Sequence, residues 1–289
     1  MELLGKDVAN ELIKDVEGFY FHSAKFKIKK QFGSSSRHLA AVVGKGDDKR
    51  IRLSIDFCDF PVTNLKDLFF VSIIICHEIA HYLNDHTSHL DKSNADFTAL
   101  EVWADFFGAR LFITSITFGS RMQKLIKKFT PIIEEDKILS AIGLAIKDMY
   151  ESIYLPTTDK RYPLALERVL IFNAGSTSFF YRLYNSLTPE FSIKVILTIL
   201  KEAGLTDIVG KYESSKVNNL QLKNNISDMH KALQGNDDSI TKGLKPCYYI
   251  FLTTNYFQTP SETKYNHQKL SDQIKNLGFE PNEIMAGHT

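Results

Sequence analysis

Apolar residues recur at three- and four-residue steps at the start of the chain, from Leu3 to Val16. This period places them on one face of an α-helix, so we expect a first amphipathic helix that packs against the core. Residues 25–30 (KFKIKK) instead alternate apolar and cationic side chains. Alternation is typical of a β-strand, and it favours a strand with one solvated face over a nucleic-acid-binding patch.

Two β-prone runs lie between His38 and Phe57, separated by the turn sequence Gly-Lys-Gly-Asp-Asp. This arrangement predicts an antiparallel hairpin. The next segment, from Asn64 to Asn84, has the length of a helix, and Thr63 is a suitable residue to cap its start. Its apolar run, residues 68–76, is far shorter than the ~20 residues that a helix needs to cross a bilayer, so we expect no transmembrane segment.

The second half of the chain is predicted to be mainly helical. Ser93 and Asp96 resemble a capping box that opens a helix with a broad apolar face. Further helices are expected at residues 123–129, 137–153, 163–173 and 190–203. Residues 212–245 are rich in Asn, Lys, Ser and Asp and indicate a linker or loosely packed helices, whereas CYYIFLTTNYF predicts a buried strand or core segment. The expected fold class is α+β, with a small antiparallel sheet and a mainly helical remainder.

Composition limits the class of protein without naming a partner. The chain has 35 basic and 34 acidic residues, and its net charge of +1 gives no overall attraction to nucleic acid or to an anionic membrane. Three cysteines without a Cys-x-x-Cys pair favour a reducing compartment, and the N-terminus lacks the pattern of a signal peptide. We therefore predict a cytoplasmic protein with a main domain over residues 1–210 and a polar linker and C-terminal extension over residues 211–289.

The helix from Asn64 to Asn84 contains the pattern His-Glu-x-x-His at His77, Glu78 and His81. At about 3.6 residues per turn the two imidazoles lie one above the other, so both can reach one ion. Glu78 lies about 100° round the helix axis, beside the ion, which is the location of a general base. A catalytic zinc site uses three protein ligands and keeps the fourth position for water. The pattern therefore predicts a zinc site that needs one more ligand.

The candidates for the third ligand are Glu101, Asp85, His86 and His89. Glu101 and Asp105 lie on one face of the following helix, and Glu101 comes twenty residues after His81, a separation that allows an antiparallel return. Glu101 then becomes the ligand, and Asp105 can accept a hydrogen bond from the far nitrogen of a liganding imidazole. Asp85 shares the face of the histidines but stands about 12 Å along the axis. His86 can reach the site only if the chain breaks sharply at the end of the first helix.

Other residues have simpler interpretations. Ala104 and Gly108 are small and lie near the face of the second helix that carries the acids, so they allow the two helices to approach closely. Cys76 is expected to be a small buried hydrophobe and Trp103 a packing residue. The sequence has no Gly-rich phosphate loop and no Gly-x-Ser-x-Gly motif, which argues against nucleotide and serine chemistry.

The two helices, with HEIAH followed by EVWAD, resemble the gluzincin metallopeptidases. Among cytosolic families they are most similar to the ImmA-type anti-repressor and Lit-type phage-exclusion proteases, over residues 64–113. The resemblance implies a zincin-like metallopeptidase domain in which the two histidines and Glu101 bind Zn²⁺, Glu78 is catalytic and Asp105 supports a ligand. The hairpin before the motif also resembles the zincin sheet, whose edge strand lines the substrate cleft.

A weaker resemblance lies in residues 159–172, DKRYPLALERVLIF, which are similar to the His-Pro-Pro...Arg segment of some integral membrane gluzincins. Tyr162 replaces the histidine of that segment. If these residues fold over the cleft, Tyr162 or Arg161 can donate a hydrogen bond to the oxyanion. Otherwise Tyr162 is a core aromatic residue ahead of a helix with Pro163 in its first turn.

Together these residues predict a zinc endopeptidase in which Glu78 takes a proton from water and delivers it to the leaving amine. The alternative is a zinc-stabilised, non-catalytic module that regulates or binds a partner protein. Glu78 favours the enzyme, because catalysis uses it and no structural role obviously requires it. The expected partner is a protein or peptide substrate, with neither nucleic acid nor membrane. A phage-defence or toxin protease that attacks one host protein rests on the family resemblance alone.

Overall fold

The computed structural model describes residues 2–89, 94–159, 161–184, 189–210 and 242–253, with a few isolated positions between 228 and 272. It is an α+β protein in which helices and one small sheet enclose a hydrophobic core. The helices are α1 Gly5–Gly18, α2 Ile55–Cys58, α3 Leu65–Leu83, α4 Asn94–Phe118, α5 Ser120–Phe129, α6 Glu135–Met149, α7 Ala165–Tyr184, α8 Pro189–Glu202, α9 Thr206–Gly210 and α10 Pro246–Leu252. The strands are β1 Lys30–Ser34, β2 Ala40–Val43 and β3 Arg50–Ser54.

The sheet has three strands in the order β1-β3-β2. The predicted hairpin is confirmed, because β2 and β3 pair antiparallel from Ala40 opposite Leu53 to Val43 opposite Arg50. The prediction of a purely antiparallel sheet is wrong, since β1 runs parallel to β3 on its other side. Residues 44–49, which include a short 3-10 turn, join β2 to β3, and their Gly and Asp residues are visible in the sequence. The pairing of β1 with β3 skips a strand and leaves no such local signal.

The alternating segment 25–30 is not the strand that its pattern predicts. Lys25 has a left-handed backbone (φ 50°) at the end of a short 3-10 turn, and β1 begins only at Lys30. The carboxylate of Glu17 accounts for the difference. It accepts a hydrogen bond from the backbone N–H of Ile28 at 3.0 Å and one from Lys27 Nζ at 2.7 Å. Lys27 and Ile28 are thereby bound to the end of α1 and not to a neighbouring strand.

Helix α3 is central to the fold and contacts α1, α4, α5, α6 and two strands of the sheet. Its N-cap is Asn64, whose side chain accepts a hydrogen bond from the backbone N–H of Asp67 at 3.0 Å. Thr63, the predicted cap, instead donates its hydroxyl to the Asp67 carboxylate at 2.7 Å. Every residue from Asp67 to Cys76 is buried. The apolar run before the motif is therefore the part of α3 that anchors it in the core.

The helical second half is confirmed by α4 to α8, with bounds that differ by a few residues from those predicted except at α7, which continues to Tyr184. Ser93 of the predicted capping box and most of residues 212–245 lie outside the described residues. The segment CYYIFL forms α10 rather than a strand, because Pro246 occupies its first turn and favours a helix start. Its residues 250–252 are buried, and α10 contacts α4 and α7.

The structure also bears on the cysteines and on membrane crossing. Cys58, Cys76 and Cys247 all carry free thiols, and burial raises the pKa of Cys76 well above its usual value. Cys76 is thus a packed core residue, as predicted.

Among the described helices, none combines the length with the apolar character that a bilayer span requires.

Candidate metal centre

Two helices meet at the predicted motif, with His77 and His81 on α3 and Glu101 on α4. Each offers one ligand atom, and these atoms lie within 4.8 Å of one another. Nε2 of His77 is 3.1 Å from Nε2 of His81 and 3.4 Å from Oε2 of Glu101. Nε2 of His81 is 3.4 Å from Oε1 of Glu101. The structure therefore brings the predicted third ligand opposite both imidazoles, and we call these three side chains the donor triad.

The donor triad has the spacing of metal ligands. Tetrahedral bonds of about 2.1 Å separate neighbouring ligand atoms by roughly 3.4 Å, and Nε2 of each histidine is 3.4 Å from one of the two carboxylate oxygens of Glu101. Oε2 of Glu101 is buried and has no hydrogen-bond partner among the described residues. A buried carboxylate oxygen in that state is costly unless a cation satisfies it. The residues present can thus hold a metal ion.

Asp105 and Arg168 orient His77. Nδ1 of His77 is 2.9 Å from Oδ1 of Asp105, so the carboxylate can keep a hydrogen on this nitrogen and leave Nε2 to bind an ion. Arg168 of α7 donates to both carboxylate oxygens of Asp105, at 2.7 and 2.8 Å. Removing one partner of a buried charge pair costs roughly 3–5 kcal/mol. Asp105 therefore lies behind His77, where the prediction places it, and Arg168 holds it in place.

The charges around the donor triad are strongly coupled. Burial lowers the pKa of His77, but Asp105 and Glu101 outweigh burial and raise it to about 10. Burial raises the pKa of Glu101, yet His81 and His77 hold it well below its usual range. The pKa of Asp105 is also lowered, against burial, by Arg168 and His77. Both acids are therefore ionised, and a cation that binds Nε2 of His77 must displace a proton.

The chain after α3 brings His86 back to the centre. Asp85 has a left-handed backbone (φ 52°), and its carboxylate pairs with Lys49 Nζ at 2.7 Å. This turn places Nδ1 of His86 2.8 Å from Nδ1 of His81. The sharp break that a His86 ligand requires does exist, but His86 meets the ring nitrogen of His81 that is not in the donor triad. His86 is therefore a hydrogen-bond partner that fixes the ring of His81.

We expect His86→Phe to weaken zinc binding by about 10- to 100-fold, the usual effect of losing a partner behind a liganding imidazole. The hydrogen on Nδ1 of His81 then has no acceptor, and the ring is free to turn away from the donor triad. His86→Gln is the matched control, because its side-chain carbonyl restores an acceptor and recovers most of the affinity. Competition with a chromogenic zinc chelator measures both constants. Equal affinities for the Phe and Gln variants would contradict this role of His86.

A cleft of about 200 Å³ opens onto the donor triad. The side chains of His77 and His81 are 15% and 13% exposed, so a molecule in the cleft can reach them. One wall is β2, the edge strand of the sheet, as the resemblance implies. Glu78 lines the same cleft beside the donor triad, where its helical position predicts it. The other lining residues are His38, Ala40, Ala41, Val42, His86, Thr87, Phe97, Leu100 and Tyr162.

Tyr162, and not Arg161, faces this cleft. The Tyr162 ring packs edge-on against Phe97 at 5.3 Å between centroids, and it is half-buried. Burial, with a further contribution from Glu101, raises the pKa of Tyr162 to about 12, so its phenol keeps the proton that it would donate. Arg161 is exposed and pairs with Asp159, with Nη2 at 2.6 Å from Oδ2. Of the two predicted oxyanion donors, the structure brings one to the site.

The two helices of the centre touch at Gly108. A Cβ atom at this position would lie 3.0 Å from Cα and 3.1 Å from the backbone nitrogen of His77. Both distances are shorter than ordinary van der Waals contacts, so only glycine allows this approach without a shift. Ala104 is fully buried on the same helix. The predicted role of Gly108 in close helix packing is confirmed.

Comparisons with known proteins assign the chain to no family. No protein-family model, curated protein or solved structure matches the chain. Support for the metal centre therefore comes from the residues themselves and from the distances between their atoms.

Two residues behind the donor triad have roles that were not predicted. Arg168 lies among apolar residues of α7 and is buried. A buried arginine requires an acidic partner, and this is the signal that could have linked it to Asp105. The position of His86 depends on the left-handed backbone of Asp85, and the spacing of residues alone does not show such a turn.

Proposed function

We propose that the protein is a zinc-dependent peptidase with a zincin-like fold, and that it hydrolyses peptide bonds of a protein substrate. The observation that carries the proposal is the donor triad at the base of an open cleft that Glu78 also lines. The two imidazole nitrogens are 3.1 Å apart, and each is 3.4 Å from a carboxylate oxygen of Glu101. Two imidazoles and one carboxylate suit zinc and leave a coordination position for water or substrate. When bound, the ion acts as a Lewis acid in the reaction.

Glu78 has the role of general base. Its carboxylate accepts a proton from the attacking water and then delivers that proton to the leaving amine. Because Glu78 is beside the donor triad and not part of it, its oxygens are available for this transfer. A water-derived nucleophile needs no Ser or Cys side chain, and Cys76 is fully buried in the core.

Tyr162 has the role of an oxyanion donor. As the carbonyl carbon becomes tetrahedral, its oxygen gains negative charge, and a neutral hydroxyl aimed at that oxygen stabilises it. The raised pKa of Tyr162 keeps the phenol in this donating form. The contact with Phe97 holds the ring at the wall of the cleft.

Strand β2 provides a way to bind an extended substrate. It pairs with β3 on one side, and its other side is the edge of the sheet. The N–H and C=O groups along such an edge can pair with a peptide that adds a strand, which gives affinity independent of side chains. Because β2 also lines the cleft, a peptide bound in this way passes the donor triad.

The first test measures new peptide termini in a proteome. A cell extract is incubated with zinc-loaded wild type or with Glu78→Gln, and amino termini are labelled and identified by mass spectrometry. We expect termini that only the wild type produces and that a zinc chelator suppresses. Bound zinc without any wild-type-specific terminus would favour the non-catalytic regulatory or partner-binding module.

Tyr162→Phe should lower kcat by about 10²- to 10³-fold, which is the usual effect of removing one oxyanion donor. KM and zinc content should stay unchanged, because the ring still packs on Phe97 and does not belong to the donor triad. Tyr181→Phe removes a hydroxyl from an exposed position on α7 and serves as the control. Steady-state kinetics on a cleaved peptide give both constants. A Tyr162→Phe enzyme with wild-type kcat would exclude this role of the phenol.

A further inference from the structure

The charge of the chain is unevenly distributed. Residues 25–54, which contain the sheet, have nine lysines and arginines against two aspartates and no glutamate, a net charge of +7. The whole chain has a net charge of +1, so the remaining residues together carry −6. One wall of the cleft therefore belongs to a strongly cationic part of a molecule whose remaining residues are net acidic.

Carboxylates of the described residues pair with only some of these cations. Two lysines pair with Glu17 and Asp85, each at 2.7 Å. Within the part of the chain that the structure describes, three arginines form no ion pair with a carboxylate. We call these residues, Arg37, Arg50 and Arg52, the cationic rim.

Two members of the cationic rim project from the outer face of the sheet. Ile51 and Leu53 of β3 are fully buried on the core side. Since side chains alternate along a strand, Arg50 and Arg52 point to the opposite side. Arg52 lies opposite Ala41 of β2, and its Nε is buried without a hydrogen-bond partner among the described residues. The Nε of Arg52 therefore keeps a hydrogen that the described residues do not accept.

A substrate strand on β2 comes within reach of the cationic rim. Neighbouring strands are about 4.8 Å apart, so such a peptide stands roughly 10 Å from β3. On the outer face of the sheet Ala41 lies opposite Arg52 and Val43 lies opposite Arg50, whose Nε donates to Oε1 of Gln31 on β1 at 3.1 Å. An arginine and a glutamate side chain together can span that distance. Arg37, which precedes β2 by three residues, adds a third cation near the end of the same strand.

We infer that the cleft selects peptide segments with acidic side chains, which β2 holds in extended form and the cationic rim recognises from the outer face of the sheet. The inference rests on the proposed function, because it names the substrate class of the same cleft. Nucleic acid is the other common polyanion, but it cannot supply the peptide N–H and C=O groups that a sheet edge pairs with. A peptide therefore fits both features of this wall.

Binding is tested with zinc-loaded Glu78→Gln protein, so that cleavage does not consume the probe. Three fluorescein-labelled peptides share one sequence except at alternate positions, which hold Glu, Gln or Lys, and a short DNA duplex is the fourth probe. Fluorescence anisotropy should show the Glu peptide binding about fivefold more tightly than the Gln peptide at low salt. The Lys peptide should bind most weakly. The preference should disappear in about 0.5 M NaCl, because salt screens exposed charges.

The double variant Arg50→Gln/Arg52→Gln, made on the same background, should bind the Glu and Gln peptides equally and keep its affinity for the Gln peptide. Lys124→Gln/Lys127→Gln removes two exposed charges from α5 and should preserve the preference. Unchanged thermal melting checks that both variants fold.

Several results overturn the inference. They are equal binding of the Glu and Gln peptides to the parent protein, tighter binding of DNA than of the Glu peptide, or a preference that survives in the Arg50→Gln/Arg52→Gln variant. Wild-type cleavage of the Glu and Gln peptides at equal rates would also overturn it, while leaving the peptidase proposal intact. If wild type cleaves no peptide but the preference persists and follows the two arginines, the peptidase proposal fails and the recognition of acidic peptides stands.

Discussion

Glu78→Gln is expected to lower kcat for peptide hydrolysis by about 10²- to 10⁴-fold, the range that general-base catalysis contributes. An amide of the same size keeps the shape of the cleft but cannot accept the proton of the attacking water. Zinc content should remain that of the wild type, because Glu78 is not in the donor triad. The two measurements are cleavage of a quenched fluorescent peptide and metal analysis of the purified protein by mass spectrometry.

The matched control is Glu190→Gln, which makes the same chemical change at an exposed position on α8. It should retain full activity and full zinc content. If Glu78→Gln hydrolyses the peptide as fast as wild type, the proposed mechanism is wrong. Loss of zinc from Glu78→Gln would instead show that the residue supports the metal centre and not the proton transfer.

Glu101→Ala is expected to weaken zinc binding by more than about 100-fold, beyond the effect of losing a residue behind a ligand. The substitution removes one of three ligands and leaves two imidazoles to hold the ion. Because bound zinc stabilises the folded state, the same variant should lose the increase in Tm that zinc gives the wild type. Chelator competition and thermal melting with and without zinc measure the two effects.

Asp85→Asn provides the control for Glu101→Ala. Asp85 also follows the motif histidines, but its carboxylate pairs with Lys49 and it adopts a left-handed backbone that asparagine tolerates. Zinc affinity should therefore stay close to that of the wild type. An unchanged zinc affinity in Glu101→Ala would show that the ion, if present, is bound elsewhere.

The residues of the donor triad could be predicted from the sequence because helical spacing assigns side chains to faces. His77 and His81 are four residues apart on α3, and Glu101 and Asp105 are four apart on α4. Each pair therefore lies on one side of its helix. The chain between the helices is long enough to let these sides meet, and the structure brings them together.

Other features depend on contacts that local patterns do not encode. Alternation predicted a strand at residues 25–30, but Lys27 and Ile28 form hydrogen bonds to Glu17 instead of strand pairs. The aromatic and β-branched residues of CYYIFL favour a strand by propensity, but Pro246 and packing against α4 and α7 gave a helix. Arg168 reaches Asp105 from a position 63 residues further along the chain, which only the folded arrangement reveals.

Gly108 links helix packing to the proposed metal centre. It lies seven residues after Glu101, so the two share a face of α4, and its backbone rests against that of His77. This contact limits how closely α3 and α4 approach each other, and so it sets the distance between the Glu101 carboxylate and the two imidazoles. In the proposed metal centre, the space left for an ion is thus limited by a residue whose side chain is a single hydrogen atom, and which is not itself a ligand.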